Sequence, residues 1–457
     1  MNAPADTVAA LRAALGDEVV RTGDAIAARY RTDWSGHAPA PPAALLLPRD
    51  TEEVSRALAL CHRHGQGVVP QGGRTGMVGG AVPRTEDIVL SLERMNRIEQ
   101  IDAQAGTMTV QAGALLQRVQ EAAAEAGFLF ALDLGARGSC QIGGNIATNA
   151  GGLNVLRYGP MRNQVLGLEV VLADGSVLDS LRKLAKDTAG YDLRQLFVGS
   201  EGTLGVVTRA VLALQPRPRS AQTLLAALPD FAAAVALLRR LQAAYAVSAF
   251  ELMWRDFMQL ALAWRGGERA PLAGEHPFYA LVELEGTPEA LQATLAELVH
   301  EGLLPDAVLA SSLAQARAIW ALREITAEFP ARLDPINFDL SLPTGEIGAF
   351  AERCRAALAA RWPAQRSVFF GHIGDSNLHL TVDGRSLPGV AHREVDALVY
   401  RLLREVPGAS VSAEHGIGLL KRDWLDHCRS ATELALMRRL KQALDPRAIL
   451  NPGKVFA

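Results

Sequence analysis

The sequence is short of cysteine, of aromatic side chains and of net charge. Its four cysteines, Cys61, Cys140, Cys354 and Cys428, are scattered through 457 residues, and no two form a Cys-x-x-Cys pair. That spacing excludes a thiolate zinc ribbon and a disulfide framework, and it suits a reducing compartment. Aromatics make up only 5% of a chain that is 49% hydrophobic, so the core must be built mainly from aliphatic side chains. With 46 basic and 49 acidic residues interspersed, the net charge is −3. There is no basic stripe to displace counterions from a phosphate backbone, so nucleic acid is not an expected partner. No stretch approaches the roughly 18 consecutive apolar residues that a membrane-spanning helix needs. The segment Met1 to Gly16 carries acidic and polar groups at helical spacing, unlike the basic start and apolar run of a secretory signal. A soluble, cytoplasmic protein is expected.

What is present is glycine, in three dense clusters before residue 210. The chain is long enough for two or three cores, and its first half mixes helix and strand. Asp50-Thr51-Glu52-Glu53, followed by Val54, Leu58, Cys61 and Gly65, spells a capped amphipathic helix. Gly67 to Pro70, Ile88 to Leu92 and Met108 to Gln111 read as strands, and Ala114 to Ala126 as a helix stopped by Gly127. Gln215-Pro216-Arg217-Pro218-Arg219 is a proline and arginine connector, after which Ala/Leu-rich helices alternate with short strands such as Phe278 to Glu283. Three segments are expected: 1–215, 216–410 and 411–457. No fixed-period repeat is visible.

Gln71-Gly72-Gly73-Arg74-Thr75-Gly76 comes after a short apolar strand. Glycines here allow positive φ angles and let backbone N–H groups converge on a phosphate. The residues after Gly76 are again glycine-rich and do not open a helix, which argues against a Rossmann fingerprint, and no Lys-Ser/Thr completes a Walker loop. On residue chemistry alone, tight turns in a β-rich domain explain the loop equally well. In Gly143-Gly144-Asn145-Ile146-Ala147-Thr148-Asn149-Ala150-Gly151-Gly152, small residues alternate with amides able to bond a polar ring edge or a diphosphate.

Taken together, Pro70 to Gly80, Gly138 to Gly152 and Gly199 to Thr208 resemble the FAD domain of the vanillyl-alcohol oxidase superfamily, over roughly residues 40 to 215. The resemblance implies an α+β fold: a two-subdomain FAD-binding domain plus an α+β substrate (cap) domain with an antiparallel sheet, the last segment returning to the FAD domain. It implies FAD contacts from Pro70, Gln71, Gly72, Gly73, Arg74, Thr75 and Gly76 around the diphosphate. Ser139, Gly143, Gly144, Asn145, Thr148, Asn149, Gly151 and Gly152 would lie along the flavin, with further contacts from Glu201, Gly202, Gly205, Val206 and Asn451. Some members tether flavin through a histidine in the first loop. His62 and His64 precede the strand and the loop holds none, so noncovalent FAD is expected.

The second half carries Gly371-His372-Ile373-Gly374-Asp375-Ser376-Asn377-Leu378-His379, read as two strands joined by a turn that brings both histidines together. Ser412-Ala413-Glu414-His415-Gly416 adds a carboxylate and an imidazole on a glycine-flanked loop. Two histidines and a carboxylate suit a catalytic zinc or similar divalent metal; hairpin histidines that simply bond backbone are the plainer alternative. Both segments resemble the signature pair of the D-2-hydroxyglutarate and D-lactate dehydrogenase branch. That resemblance makes His372, His379 and Glu414 metal ligands, His415 the general base and Asn377 a substrate contact. It makes Arg323 the substrate-carboxylate partner, assisted by Thr326. Asn337 stands where relatives commonly have lysine, which weakens the case for a dicarboxylate.

The implied function is FAD-dependent oxidation of a D-2-hydroxy acid to the 2-oxo acid, with hydride passing to flavin N5. D-2-hydroxyglutarate is favoured, with D-lactate and glycolate as alternatives. Without an NAD fingerprint, the electrons are expected to pass to an electron-transfer flavoprotein or a quinone, and relatives are often homodimers. Two readings from other classes compete: a metallohydrolase built on the histidines and Glu414, and a nonenzymatic subunit carrying FAD as scaffold.

Overall fold

The computed structural model describes residues 4–218, 220–265 and 270–456. The chain divides into two compact units. The first comprises Met1–Gly152, Gly159–Arg217 and Glu414–Ala457; the second comprises Leu153–Tyr158 and Pro218–Ala413.

Among the described residues, the first unit contains a four-stranded sheet in the order Val20–Arg21, Ala44–Leu46, Ile88–Ser91, Val68–Gln71. The last three strands run parallel. A parallel strand is covered on both faces and tolerates no alternation, which explains why Ile88–Ser91 is buried throughout. The helix Thr51–His64 forms as its capping residues dictate. The Asp50 carboxylate accepts from the Glu53 N–H, and Gly65 ends the helix at φ +67°. A second, antiparallel sheet orders Ile98–Asp102, Thr107–Gln111, Val206–Ala213, Val165–Val171 and Val177–Ser180. Its edge strand Ile98–Asp102 has no counterpart in the sequence pattern, because it is polar, partly exposed and bulged between Ile98 and Gln100. The two sheets and their helices share one apolar cluster, to which Ile449 and Leu450 from the end of the chain contribute. Leu450 bridges Val68 directly.

Two lysines, Lys441 partly buried and Lys454 buried, tie that last segment down. Lys441 donates to the Thr203 and Leu450 carbonyls at 2.8 Å each, and Lys454 donates to the Val82 carbonyl at 2.7 Å. Burial pushes the Lys454 ammonium down from 10.5 to about 8, against a smaller opposing pull from Asp87. Below about 8 the folded state therefore carries an unfavourable buried charge, and between there and 10.5 the unfolded chain binds the proton that the folded chain has released. Unfolding midpoints measured across this range should rise with pH in wild type relative to Lys454→Met. The slope should approach roughly 1.4 kcal/mol per pH unit, and parallel curves for the two proteins would refute this role.

Among the described residues, the second unit contains a seven-stranded antiparallel sheet in the order Ala307–Leu309, Ala221–Leu228, Phe278–Glu285, Ala246–Trp254, Ser367–His372, Asn377–Asp383, Pro335–Ser341. The two-residue period of a strand decides its two faces. One face carries Trp254, whose ring packs on Phe278 at 5.3 Å, Phe369 at 6.1 Å and Phe231 of the helix Phe231–Ala244 at 6.2 Å. The other carries Met253, Leu281 and Phe370 beneath the helices Arg255–Trp264 and Leu313–Arg323. Phe257 meets Phe370 there at 4.8 Å between ring centroids. The short helix Val155–Tyr158 also belongs to this unit. Leu156 faces Gly374, and Arg157 forms an ion pair with Glu285. No composition shift marks that excursion of the chain.

Candidate functional site

In the first unit the strand Val68–Gln71 runs into the loop that begins at Gly72. Pro70 and Gln71 belong to the strand, and Gln71 is held by its own amide: Nε2 donates to the carbonyls of Tyr30 at 2.9 Å and Ala81 at 2.7 Å. Its Oε1 is buried and has no partner. At Gly73 a Cβ would stand 2.1 Å from the Ser139 carbonyl oxygen, so only glycine lets the first and second glycine segments touch. Arg74 adopts φ +60°. Its guanidinium lies over the Tyr30 ring at 5.0 Å and 3.9 Å from Glu93.

Residues 143–152 are partly helical, the helix spanning Ile142–Ala147. The first turn docks on a neighbouring segment: Ile142 N–H donates to the Ala114 carbonyl and Gly143 N–H to the Ala112 carbonyl. A Cβ on Gly143 would meet the Ala112 methyl at 2.8 Å, whereas Gly144 faces nothing within 4 Å. Beside them the Gln141 Oε1 is buried without a partner. Asn145 reaches the Cys140 sulfur, Thr148 caps back onto the Gly144 carbonyl, and Asn149, at φ +49°, accepts from the Arg162 N–H. The Gly152 N–H donates to the Glu414 carboxylate at 3.0 Å.

Several residues of the expected cofactor set serve the fold itself. Glu201, at φ +52°, accepts from the N–H groups of Ile417 at 2.7 Å and Gly418 at 2.8 Å. Burial raises its pKa, opposed by those two bonds and by Lys421. Gly202 adopts φ +70°, and Gly205 is needed because a Cβ would strike Val170 at 2.6 Å. Val206 begins a buried strand. Asn451 donates through Nδ2 to the Gly80 and Glu201 carbonyls, while its Oδ1 is buried and unpartnered. Among the described residues, three of this unit's orphaned buried amide oxygens, on Gln71, Gln141 and Asn451, lie on or beside the glycine-rich segments that carry Arg74. Such oxygens need N–H partners, and a nucleotide with a flavin and an adenine ring supplies N–H groups while Arg74 suits its diphosphate. The residues fit FAD.

In the second unit the site is a polar patch on one sheet face. Strand register places Asn337 opposite Thr381, Asp339 opposite His379 and Ser341 opposite Asn377. It also places Phe370 opposite His379 and Glu251 opposite His372. The imidazoles of His372 and His379 meet edge to face, 5.3 Å between centroids. A carboxylate oxygen of Glu251 engages His372 Nδ1, and the other accepts from Arg323 Nε at 2.8 Å. Arg323 ends its helix with the guanidinium 4.7 Å over the Phe370 ring. Thr326 sits on the next turn, Glu324–Glu328, partly buried.

Asn377 donates to Asp339 at 2.9 Å and to the Leu340 carbonyl, while its Oδ1 is buried without a partner. Asn337 accepts from the Thr381 hydroxyl at 2.9 Å. Asp339 also accepts from the Ser412 hydroxyl and the Ala413 N–H. Each end of the loop 412–418 is thus clasped by a carboxylate within its own unit: Asp339 in the second, Glu201 in the first.

Glu251 and Asp339 were missed from sequence. Each interrupts an apolar strand, Phe250-Glu251-Leu252 and Phe338-Asp339-Leu340, and a charge in such a run must be paired; that is the signal that could have found them. Burial would raise the pKa of Glu251, but the electrostatic pull of His372 and Arg323 and the hydrogen bonds from both prevail and hold it down at about 2.

The fold and these sites define an FAD-dependent oxidoreductase, and comparison with known proteins agrees. A model of the FAD linked oxidases' C-terminal domain matches residues 217–455, and one of an FAD binding domain matches residues 42–180. The chain belongs to the FAD-linked oxidase family. It is 41% identical over 446 residues to the D-2-hydroxyglutarate dehydrogenase of Xanthomonas citri pv. viticola, covering 96% of this chain and 94% of that one. It is 42% identical over 420 residues to the mitochondrial D-2-hydroxyglutarate dehydrogenase of Bos taurus, covering 90% and 76%. The solved 4-ethylphenol oxidase from Gulosibacter chungangensis shares the fold with a TM-score of 0.76 at 20% identity, over 99% and 97% of the two chains. The expected family, the α+β architecture with an antiparallel second sheet and the FAD dependence all stand, and the chain is an FAD-dependent dehydrogenase. The metallohydrolase and scaffold readings fall. No helix among the described residues is long and apolar enough to cross a membrane.

Proposed function

We propose that the chain oxidises D-2-hydroxyglutarate to the 2-oxo acid, and that His372, His379 and Glu414 hold a divalent cation, zinc by preference. The carrying observation is the Glu251–His372 pair beside His379. A carboxylate that accepts from Nδ1–H fixes the neutral tautomer whose Nε2 lone pair can ligate a metal, the usual outer support of a metal-binding histidine. Glu414 comes in the chain directly after Ala413, which Asp339 anchors opposite His379. Covalent continuity thus gives the third ligand a short reach.

When bound, FAD supplies a two-electron acceptor and the cation a Lewis acid that makes an alcohol proton easier to lose. His415 takes that proton as a neutral imidazole. Arg323, with Nε given to Glu251, offers its Nη groups to the substrate carboxylate, a planar pairing lysine does not reproduce. The orphaned Asn377 Oδ1 and the partly buried Thr326 complete the substrate contacts. FAD is held noncovalently by the segments 70–76 and 139–152 with Asn451. The electrons pass on to an electron-transfer flavoprotein or a quinone, and the thiol state of the cysteines supports residence in the cytoplasm.

D-lactate and glycolate are the competing substrates, favoured by one observation: Asn337 is neutral and already bonded to Thr381. Anaerobic mixing of the FAD-loaded protein with a panel of D- and L-2-hydroxy acids separates these readings. The D-isomer of 2-hydroxyglutarate should bleach the flavin at the highest kcat/KM. Faster bleaching by D-lactate would reassign the substrate, and bleaching by L-isomers alone would overturn the proposal.

A further inference from the structure

We propose that Glu251 is a positioning residue that sets the metal-facing imidazole of His372 and the substrate-facing guanidinium of Arg323 with one carboxylate; this rests on the proposed metal and substrate roles of those two residues. Glu251 has no exposed surface. Its oxygens are divided between two partners from different elements, Oε1 with His372 on the strand Ser367–His372 and Oε2 with Arg323 at the end of the helix Leu313–Arg323. A side chain serving stability alone could use both oxygens on the arginine fork, which is the stronger pairing. Among the described residues, Arg323 reaches Glu251 through Nε alone, and the second oxygen goes to an imidazole.

Cross-strand register fixes the arrangement, because Glu251 and His372 are direct partners across neighbouring strands. The carboxylate is therefore anchored on the sheet, and both functional groups are aimed relative to it. The demand on Glu251 is chemical as well as spatial. Glutamine keeps its shape but offers one acceptor and one donor, so it can satisfy only one of two N–H donors. If its amide NH2 faces His372, the ring must present Nδ1 as acceptor and move its proton to Nε2, which removes the lone pair a metal needs. If the carbonyl faces His372, the NH2 opposes the Arg323 Nε–H and the guanidinium must swing away.

The test is the Zn²⁺ dissociation constant of the FAD-loaded, metal-stripped protein, measured by competition with a chromophoric chelator, together with steady-state constants. Glu251→Gln should weaken Zn²⁺ binding by about 10–100-fold or, where zinc is retained, raise the KM for D-2-hydroxyglutarate at least about tenfold. The flavin spectrum should be unchanged. Glu251→Asp, one methylene shorter and unable to reach both partners, should show the same loss of at least about tenfold, and it decides the question if the glutamine variant does not fold. Glu283→Gln is the control: that partly buried carboxylate on the next strand bonds Trp320 and Thr223 and should leave both constants at wild-type values. Unchanged zinc affinity and KM in the Glu251 variants, with wild type binding zinc, would overturn the positioning role and leave the proposed function intact. A wild-type protein with no zinc affinity would overturn the metal reading itself.

Discussion

Replacing His415 by alanine is expected to slow flavin reduction by D-2-hydroxyglutarate by about 10²–10⁴-fold, the usual contribution of a positioned general base. The visible flavin spectrum and the unfolding midpoint should stay near wild type. The separation comes from where His415 sits. Its loop is anchored at both ends by other groups: Asp339 accepts from the Ser412 hydroxyl and the Ala413 N–H, and Glu201 accepts from the Ile417 and Gly418 N–H groups. Gly416, at φ +84°, and Gly418, at φ +50°, let the chain turn between those anchors. Truncating the side chain therefore leaves the scaffold that presents it. Stopped-flow reduction under anaerobic conditions measures the effect, and a variant within threefold of wild type would remove His415 from the base role. Partial recovery on adding imidazole would support it.

Stripping the divalent cation should have a comparable effect. Lewis-acid assistance is worth several kcal/mol of barrier, and each 1.36 kcal/mol is tenfold in rate. Dialysis against a strong chelator should therefore lower flavin reduction by about 10³-fold, with recovery on adding Zn²⁺ or Mn²⁺. The cofactor should remain bound, because the orphaned acceptors assigned to it, on Gln71, Gln141 and Asn451, are distinct from the proposed metal ligands. His372→Ala and His379→Ala should each copy the stripped protein and resist rescue. Elemental analysis of the purified protein provides the check; undiminished reduction in metal-free protein would end the metal assignment.

How much of the site is legible in the sequence differs between its two halves. The glycine loops are readable because glycine there answers a local requirement. Gly73 must let Ser139 approach, Gly143 must let Ala112 approach, and no other residue satisfies either constraint. The histidine hairpin is readable for a related reason, since two short strands and a turn compel neighbouring residues together. What stays hidden depends on partners far apart in the chain. Glu251 lies 72 residues from Arg323 and 121 from His372, and nothing local in Ala246–Trp254 announces either partner. The edge strand Ile98–Asp102 and the excursion of Leu153–Tyr158 into the second unit escape the sequence because tertiary context, not propensity, decides them. Asn337 shows a different limit: its lack of charge is visible in the sequence, but its bond from the Thr381 hydroxyl is not.

The most direct test of the whole account is an anaerobic titration of the purified protein with D-2-hydroxyglutarate, following the flavin spectrum and quantifying the organic product. One equivalent of substrate per bound flavin should bleach the visible band and yield one equivalent of 2-oxoglutarate. An oxidised spectrum that persists through excess D-2-hydroxy acid, or bleaching without the 2-oxo acid, would contradict it.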